Sequence, residues 1–370
     1  MRERGQEFSA IWPREVGVVH TMASHVAASV ADMFDLYANL AATHPFEETV
    51  MPTAGGEFGL LVREPVGVVG AIIPWNGPLG MIGAKLAPAL LAGCTIVLKS
   101  SPEAPAEGYL FAEIAAAVGL PPGVVTVVTA DREVSELLVR DPRVDKISFT
   151  GSTAAGRRIA SLCGERIARV TLELGGKSAA VVLDDADLET AARSLAAAEC
   201  MMTGQLCSSL TRIVVSRNRH DALVEAISAE FGRVVSGGGR PAHLDRGWYV
   251  EPTVFGEVDN SSTIAREEIF GPVLSVIAAD DEEHAVAIAN DTIYGLNASV
   301  FTEDVDRARA VAGRLRSGTV GHNAWRSDFG VSFGGYKQSG IGREGGTEGL
   351  LPYLETKYVV LDGRPSGHEG

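Results

Sequence analysis

The chain has 370 residues, 46% hydrophobic and 21% charged, and a formal charge of −15 with no long basic run. Such a surface repels phosphate backbones and anionic lipid, which argues against nucleic acid and membrane surfaces as partners. The length supplies apolar material for two cores. The four cysteines (Cys94, Cys163, Cys200 and Cys207) form no CxxC pair, and the eight histidines form no HExxH, so neither a disulfide framework nor a metal site is implied.

The opening "MRERGQEFSA" lacks the apolar core of a secretory signal. Residues 17–43 are alanine-rich with apolar positions at helical spacing. "EFGLLVREPVGVVGAIIPWN" predicts two strands around Arg63-Glu64-Pro65. An alternation follows: "KLAPALLAG" helix, "CTIVLKS" strand, "APAEGYLFAEIAAAVG" helix, "GVVTVVT" strand, "DREVSELLVR" helix, "VDKISFTG" strand, "STAAGRRIASLCG" helix, "RVTLELGG" strand. Lys85, Pro88 and Gly93 break the most apolar stretch, which is therefore a helix and a strand rather than a membrane span. Short apolar strands between helices imply a parallel sheet covered on both faces, with ligands at the carboxyl ends of its strands.

The second half predicts a strand at "KSAAVVL", a helix beginning near Asp185, strands at "TRIVVS" and "LSVIAA", and helices at "EEHAVAIAND" and "DRARAVAGRL". The glycine-rich "VSGGGRP" at 235–241 follows no strand-to-helix turn and is expected as a loop, and "YLETKYVVLDG" as an edge strand. The implied class is α/β, and a reducing cytoplasm is the expected location.

Several residues stand where chemistry is done, each with an ordinary alternative. "FTGSTAAG" ends a strand and opens a helix, where Gly151 and Ser152 can receive a phosphate or merely start the helix. Lys99 closes a strand, facing a ligand crevice or solvent. Asn76, with Pro74 and Trp75 fixing its turn, can donate to an oxyanion or cap the turn. Glu173 at a strand end is a general base or a solvated loop acid. Glu268 and Phe270 stand two apart; if extended they point to one side, to hold ribose hydroxyls and a flat heterocycle, or form a salt bridge and core contact. Cys207 is a nucleophile or a small buried hydrophobe.

The order decides. "PWN", "KSSPE", "FTGST", "ELGGK", "GQLC", "EEIFGPV" and "FGGYKQSGIGRE" follow one another as in the aldehyde dehydrogenase superfamily, which the chain resembles from about residue 20 to 362. Lys99 follows Asn76 by 23 residues, and Cys207 follows Glu173 by 34, intervals that agree with the family. The resemblance implies a doubly wound NAD(P)-binding domain at 66–174, an α/β catalytic domain at 175–350, a helical remnant of the cofactor domain at 1–45, and an oligomerisation arm at 46–65 with a tail at 351–370. A homodimer or homotetramer acting on a small aldehyde is expected. Cys207 is implied to attack the aldehyde to give a thiohemiacetal, with Asn76 and the Cys207 N–H as oxyanion hole. Hydride passes to the nicotinamide and leaves a thioester, which Glu173 hydrolyses through water; its presence favours a free acid over coenzyme A transfer. Lys99 is implied to hold the adenosine ribose, Gly151 and Ser152 the pyrophosphate, and Glu268 and Phe270 the nicotinamide ribose and ring, with Trp75 among the cofactor residues. Substrate-pocket residues are implied in loops that include "GHNAWRSDFGVS".

The chain also departs from the family. "PWN" arrives by residue 76, roughly 80–90 residues early. Cys207 to Glu268 spans only 61 residues, where the family has roughly a third more. Pro102 stands three after Lys99, where many members have a ribose-binding glutamate, and Glu103 is one later, which leaves NAD against NADP open with NAD favoured. Met202 and Thr203 replace an asparagine before "GQ". The shortening keeps a second expectation open, a non-catalytic shortened paralogue or gene-model fragment that binds nucleotide or a partner without turnover.

Overall fold

The computed structural model describes residues 1–231 and 238–366, so the loop expected at 235–241 lies partly outside the described residues. Helices α1 (Gly5–Val16) and α2 (His20–Leu40) begin the chain. Alpha-2 buries Ala23, Ala27, Val30, Ala31 and Tyr37, a stripe at helical spacing. Strands β1 (Glu47–Val50) and β2 (Phe58–Pro65) then pair antiparallel.

The alternation expected from the sequence builds the first parallel sheet. Its elements are β3 (Val68–Ile72), α3 (Pro78–Ala92), β4 (Thr95–Ser100), α4 (Ala106–Ala117), β5 (Val125–Thr129), α5 (Arg132–Arg140), β6 (Lys146–Thr150), α6 (Thr153–Glu165) and β7 (Arg169–Glu173). The spatial order is β7-β6-β3-β4-β5, so successive crossovers run one way from β3 and then the other way. Between β3 and β6 the connections diverge, which opens a crevice at the carboxyl ends of the strands. Asp131 caps α5 by accepting from Val134 N, and Ser152 caps α6 by accepting from Ala155 N.

Residues 174–178 lead into a second sheet of β8 (Ala179–Val182), β9 (Arg212–Ser216), β10 (Thr253–Phe255), β11 (Val273–Ala279), β12 (Asn297–Phe301) and β13 (Thr319–His322), all parallel in the order β10-β11-β9-β8-β12-β13. Ala179 and Val181 join the core on one face, Ala180 and Val182 the core on the other. A strand buried on both sides is why "SAAVVL" is uniformly apolar. Helix α7 (Leu188–Cys200) begins three residues later than expected. Asp187 caps it, while Asp185 is drawn off to accept from Thr302 Oγ1 and Glu303 N. Helix α8 (His220–Glu230) follows β9.

The chain then returns to the first half. Beta-14 (Gly340–Ile341) pairs antiparallel with the end of β7, Gly340 opposite Glu173. Beta-15 (Leu354–Leu361) pairs with β2 along its whole length and completes a three-stranded sheet in the order β1-β2-β15, with β15 at the edge as expected. Among the described residues no helix is long and apolar enough to cross a membrane.

Candidate active site

The carboxyl ends of the first sheet face the amino ends of the second, and a cavity of about 420 Å³ lies between them. Asn76, Trp75, Gly151, Ser152, Cys207, Glu268 and Phe270 all line it. Residues 131 positions apart in the chain, Asn76 and Cys207, thus share one wall because β3 ends and β9 begins at the same place.

Cys207 follows a run of left-handed backbone: Met202 at φ 51°, Thr203 at φ 58° and Gly204 at φ 73°. Gly204 is required, since a Cβ there would stand 2.3 Å from Gly271 C and Pro272 N. The Asn76 side chain donates Nδ2 to Gln205 O at 2.9 Å, which ties the turn after β3 to the loop carrying the thiol. The Asn76 carbonyl in turn accepts from Trp12 Nε1 at 2.9 Å. On the other flank Trp325 Nε1 donates to Ser208 O at 3.1 Å. The glycine pair of "ELGG" lets the link between the sheets press on the site: a Cβ on Gly176 would lie 2.3 Å from Cys207 O, and one on Gly175 would lie 2.4 Å from Glu268 Oε2. Burial, then the carboxyls of Glu268 and Glu173, push the Cys207 thiol up to about 12.

Glu268 is held by Gly176 N, which donates to Oε1 at 2.9 Å. Burial raises this carboxyl above its usual range, against the pull of that N–H. The condition of an extended stretch is not met, since Phe270 has φ 61°. Its ring meets Trp75 edge-on at 5.6 Å between centroids, so both residues still reach the cavity, brought there by a left-handed kink instead of a strand.

Glu173 stands apart from the wall. It is buried, both carboxyl oxygens lack a hydrogen-bond partner, and it is not among the residues lining the cavity. Behind the wall lies a buried ion pair, Lys85 Nζ to Glu344 Oε1 at 2.5 Å. Burial and then Glu344 hold the Glu173 carboxyl well above its usual range, with Lys85 and Arg343 opposing. Lys85, the lone charge in an apolar helix, is the sequence signal that could have found this cluster.

A second cavity of about 490 Å³ shares Ser152 with the first and is lined by Lys99, Glu103 and Arg158. Lys99 Nζ donates to Ala130 O at 3.3 Å, and burial lowers its pKa. Glu103 accepts from Ser101 Oγ. A Cβ on Gly151 would stand 2.5 Å from Phe149 Cζ. A dinucleotide fits this arrangement: the glycine leaves backbone bare at a helix N-terminus suited to phosphate, between one cavity that reaches Lys99 and another that reaches Cys207. The expected pocket loop delivers Trp325, Ser327 and Phe329 to the wall. Trp12, Val26 and Glu107 also line it and were not foreseen.

The aldehyde dehydrogenase family model matches residues 1–234 and 224–359. The chain is 44% identical over 405 aligned positions to a geranial dehydrogenase of Castellaniella defragrans, covering 98% of this chain and 84% of that one. A betaine aldehyde dehydrogenase of Sinorhizobium fredii is 38% identical, with 98% and 82% covered. Among solved structures, a Mycobacterium tuberculosis aldehyde dehydrogenase complexed with NAD+ superposes with a TM-score of 0.91 at 39% identity, over 100% of this chain and 83% of that one. A Staphylococcus aureus betaine aldehyde dehydrogenase with NAD+ gives 0.94 at 31% identity, over 99% and 80%. The two matched segments overlap at 224–234, inside the short Cys207–Glu268 interval, and the 405 aligned positions outnumber the 370 residues here, so the alignment to the first relative includes positions that the chain lacks. With the motifs in order, a family model matching nearly the whole chain, and Asn76, Cys207, Glu268 and Phe270 on one cavity, the chain belongs to the aldehyde dehydrogenase family.

Proposed function

We propose that the chain oxidises an aldehyde to the free carboxylic acid, with Cys207 as the attacking atom. The observation that carries this is the shared cavity wall: thiol, Asn76 amide, Glu268 and Phe270 converge at the mouth of a dinucleotide-shaped crevice. Cys207 Sγ gives up its proton to water and adds as the thiolate to the aldehyde carbon, and the oxygen gains charge beside Asn76 Nδ2 and the Cys207 N–H. An oxyanion donor of this kind is worth about 10²–10³ in rate. NAD(P)+, when bound, supplies the acceptor for the hydride. Glu268, held by Gly176 N, and the Phe270 ring orient the ribose and nicotinamide. Glu173, behind the wall with unpaired oxygens, in its ionised form swings to the thioester and takes the proton of the hydrolytic water; the C–S bond breaks, the acid leaves, and that proton passes to Cys207 Sγ. Lys99 holds the adenosine ribose, and Gly151 and Ser152 the pyrophosphate.

The first sheet at 66–174 is the cofactor domain in this reading, with the helices of 1–45 packed beside it, and 175–350 is the catalytic domain. The three-stranded sheet of β1, β2 and β15 is the arm through which copies of the chain associate. Two open edges and the exposed Met51, Tyr358 and Val360 support that role. Four free cysteines fit a reducing compartment such as the cytoplasm.

The test is absorbance at the NAD(P)H band with both cofactors and a panel of short, long and aromatic aldehydes, with Cys207→Ala alongside. Turnover by the natural chain and none by the variant is the expected result. Folded protein that binds nucleotide and turns over no aldehyde would move the reading to a non-catalytic paralogue, which the short Cys207–Glu268 interval favours.

A further inference from the structure

We infer that the branch of the cavity beyond Cys207 takes a bulky, uncharged, apolar aldehyde, and that Gly80 sets the girth of what fits. This rests on Cys207 being the attacking atom. Away from Phe270 the wall is built by Trp12, Val26, Leu79, Met81, Trp325 and Phe329. None of the described residues lining the cavity is Lys, Arg or His. A substrate carboxylate or phosphate would be buried there without a partner, which is strongly unfavourable. A cationic group meets only two carboxyls among the described lining residues, and each already accepts from a backbone N–H. Glu268 is held by Gly176 N, and Glu107 turns one oxygen to Leu79 N at 2.8 Å while the other is closed off from water. Both indole N–H groups are spent on backbone carbonyls, Trp12 on Asn76 O and Trp325 on Ser208 O, so what they offer the cavity is carbon.

Gly80 is the third residue of α3 and lines this wall. Glycine is needed in a helix where φ is positive or where another element approaches closely. Neither holds at Gly80: its φ is not positive, and a Cβ built on it meets nothing within 4 Å. One turn on, Gly83 shows the contrast, since a Cβ there would stand 2.7 Å from Val30 Cγ1. A helix is weakened by an interior glycine, so what Gly80 leaves in exchange is room. Any side chain at this position grows into the open cavity, and Gly77 on the same wall has only Met202 Cε near its missing Cβ, at 3.6 Å.

One methylene in an apolar pocket changes specificity by about 10–200-fold. The test compares kcat/KM of the natural chain, Gly80→Ala and Gly80→Leu on propanal, cyclohexanecarbaldehyde, cinnamaldehyde, succinic semialdehyde and betaine aldehyde. The natural chain is expected to favour the two bulky apolar aldehydes over both charged ones. Gly80→Leu is expected to lose at least about tenfold on the bulky pair and to keep propanal within threefold, with Gly80→Ala between. Equal behaviour of Gly80→Leu and the natural chain on both classes, or preference for a charged aldehyde, overturns the inference while leaving oxidation by Cys207 intact. If no aldehyde is turned over, oxidation by Cys207 fails separately, and quenching of tryptophan fluorescence by cyclohexanemethanol reads the cavity. Binding that Gly80→Leu abolishes supports the inference, and binding by neither form, or equally by both, overturns it.

Discussion

Glu107→Gln tests the electrostatics of the cavity wall. Glu107 is the second residue of α4, has no exposed surface, and accepts from Leu79 N at the start of α3. Its Oε1 has no partner, and Glu15 lies close enough to repel it. Burial first, with Glu15 adding and the Leu79 N–H opposing, carries the carboxyl from 4.5 to about 8. Between those values the folded chain keeps a proton that the unfolded chain has released, so stability falls as pH rises from 4.5 to about 8 and is level above. At about 1.4 kcal/mol for each tenfold change, the loss is on the order of 5 kcal/mol by pH 8. Glutamine keeps the acceptor for Leu79 N and cannot titrate. Urea unfolding followed by tryptophan fluorescence at pH 4.5, 6, 7 and 8 is expected to show the variant matching the natural chain at the acid end and gaining on it steadily toward pH 8. A gap that does not change with pH would refute the reasoning.

Three further outcomes follow from the site. With the thiol pushed up to about 12, alkylation of Cys207 by iodoacetamide in the absence of nucleotide climbs about tenfold per pH unit between 7 and 9, by mass spectrometry, and a plateau in that range contradicts it. Lys85→Met strands Glu344 and Glu173 in the core and lowers unfolding free energy by about 3–5 kcal/mol; a loss under about 1 kcal/mol would show that the pair carries little. Lys99→Ala raises KM for NAD+ by about ten- to a hundredfold with kcat held within threefold, and a fall in kcat at constant KM would place Lys99 elsewhere in the reaction.

The elements of the first sheet could be read from sequence because each is short, uniformly apolar or amphipathic, and bounded by proline or glycine. The motif order then gathered Asn76, Cys207, Glu268 and Phe270 around one cavity. What escaped depends on tertiary contact. Helix α1 hides behind the charged "MRERGQEF" and the interior Pro13, and forms because Phe8 and Trp12, one turn apart, are each buried in a core, Phe8 beside Tyr37 and Leu350 and Trp12 beside Ala23 and Met202. Left-handed Met202, Thr203 and Phe270 carry no local signal, since nothing in a non-glycine side chain asks for positive φ. The strand end at Glu173 was legible, but its direction was not. Its charge environment was not legible either, since it comes from the Lys85–Glu344 pair, whose members are 259 residues apart in sequence.

The last strands have a consequence for how the chain is made. The second sheet is closed by residues 179–322, a continuous stretch that needs nothing from either end to complete its ladder. The first sheet and its core, begun at residue 68, wait for Gly340 to pair with Glu173 and for Leu350 and Tyr353 to join Leu86 and Leu98. Beta-2 waits longer still, for partners that end at Leu361. At about 5–20 residues per second, the ribosome takes roughly 10–40 seconds to add the intervening segment. The half of the protein synthesised first is therefore finished last. For that interval its unpaired strand edges and uncovered apolar residues are exposed to whatever binds nascent chains.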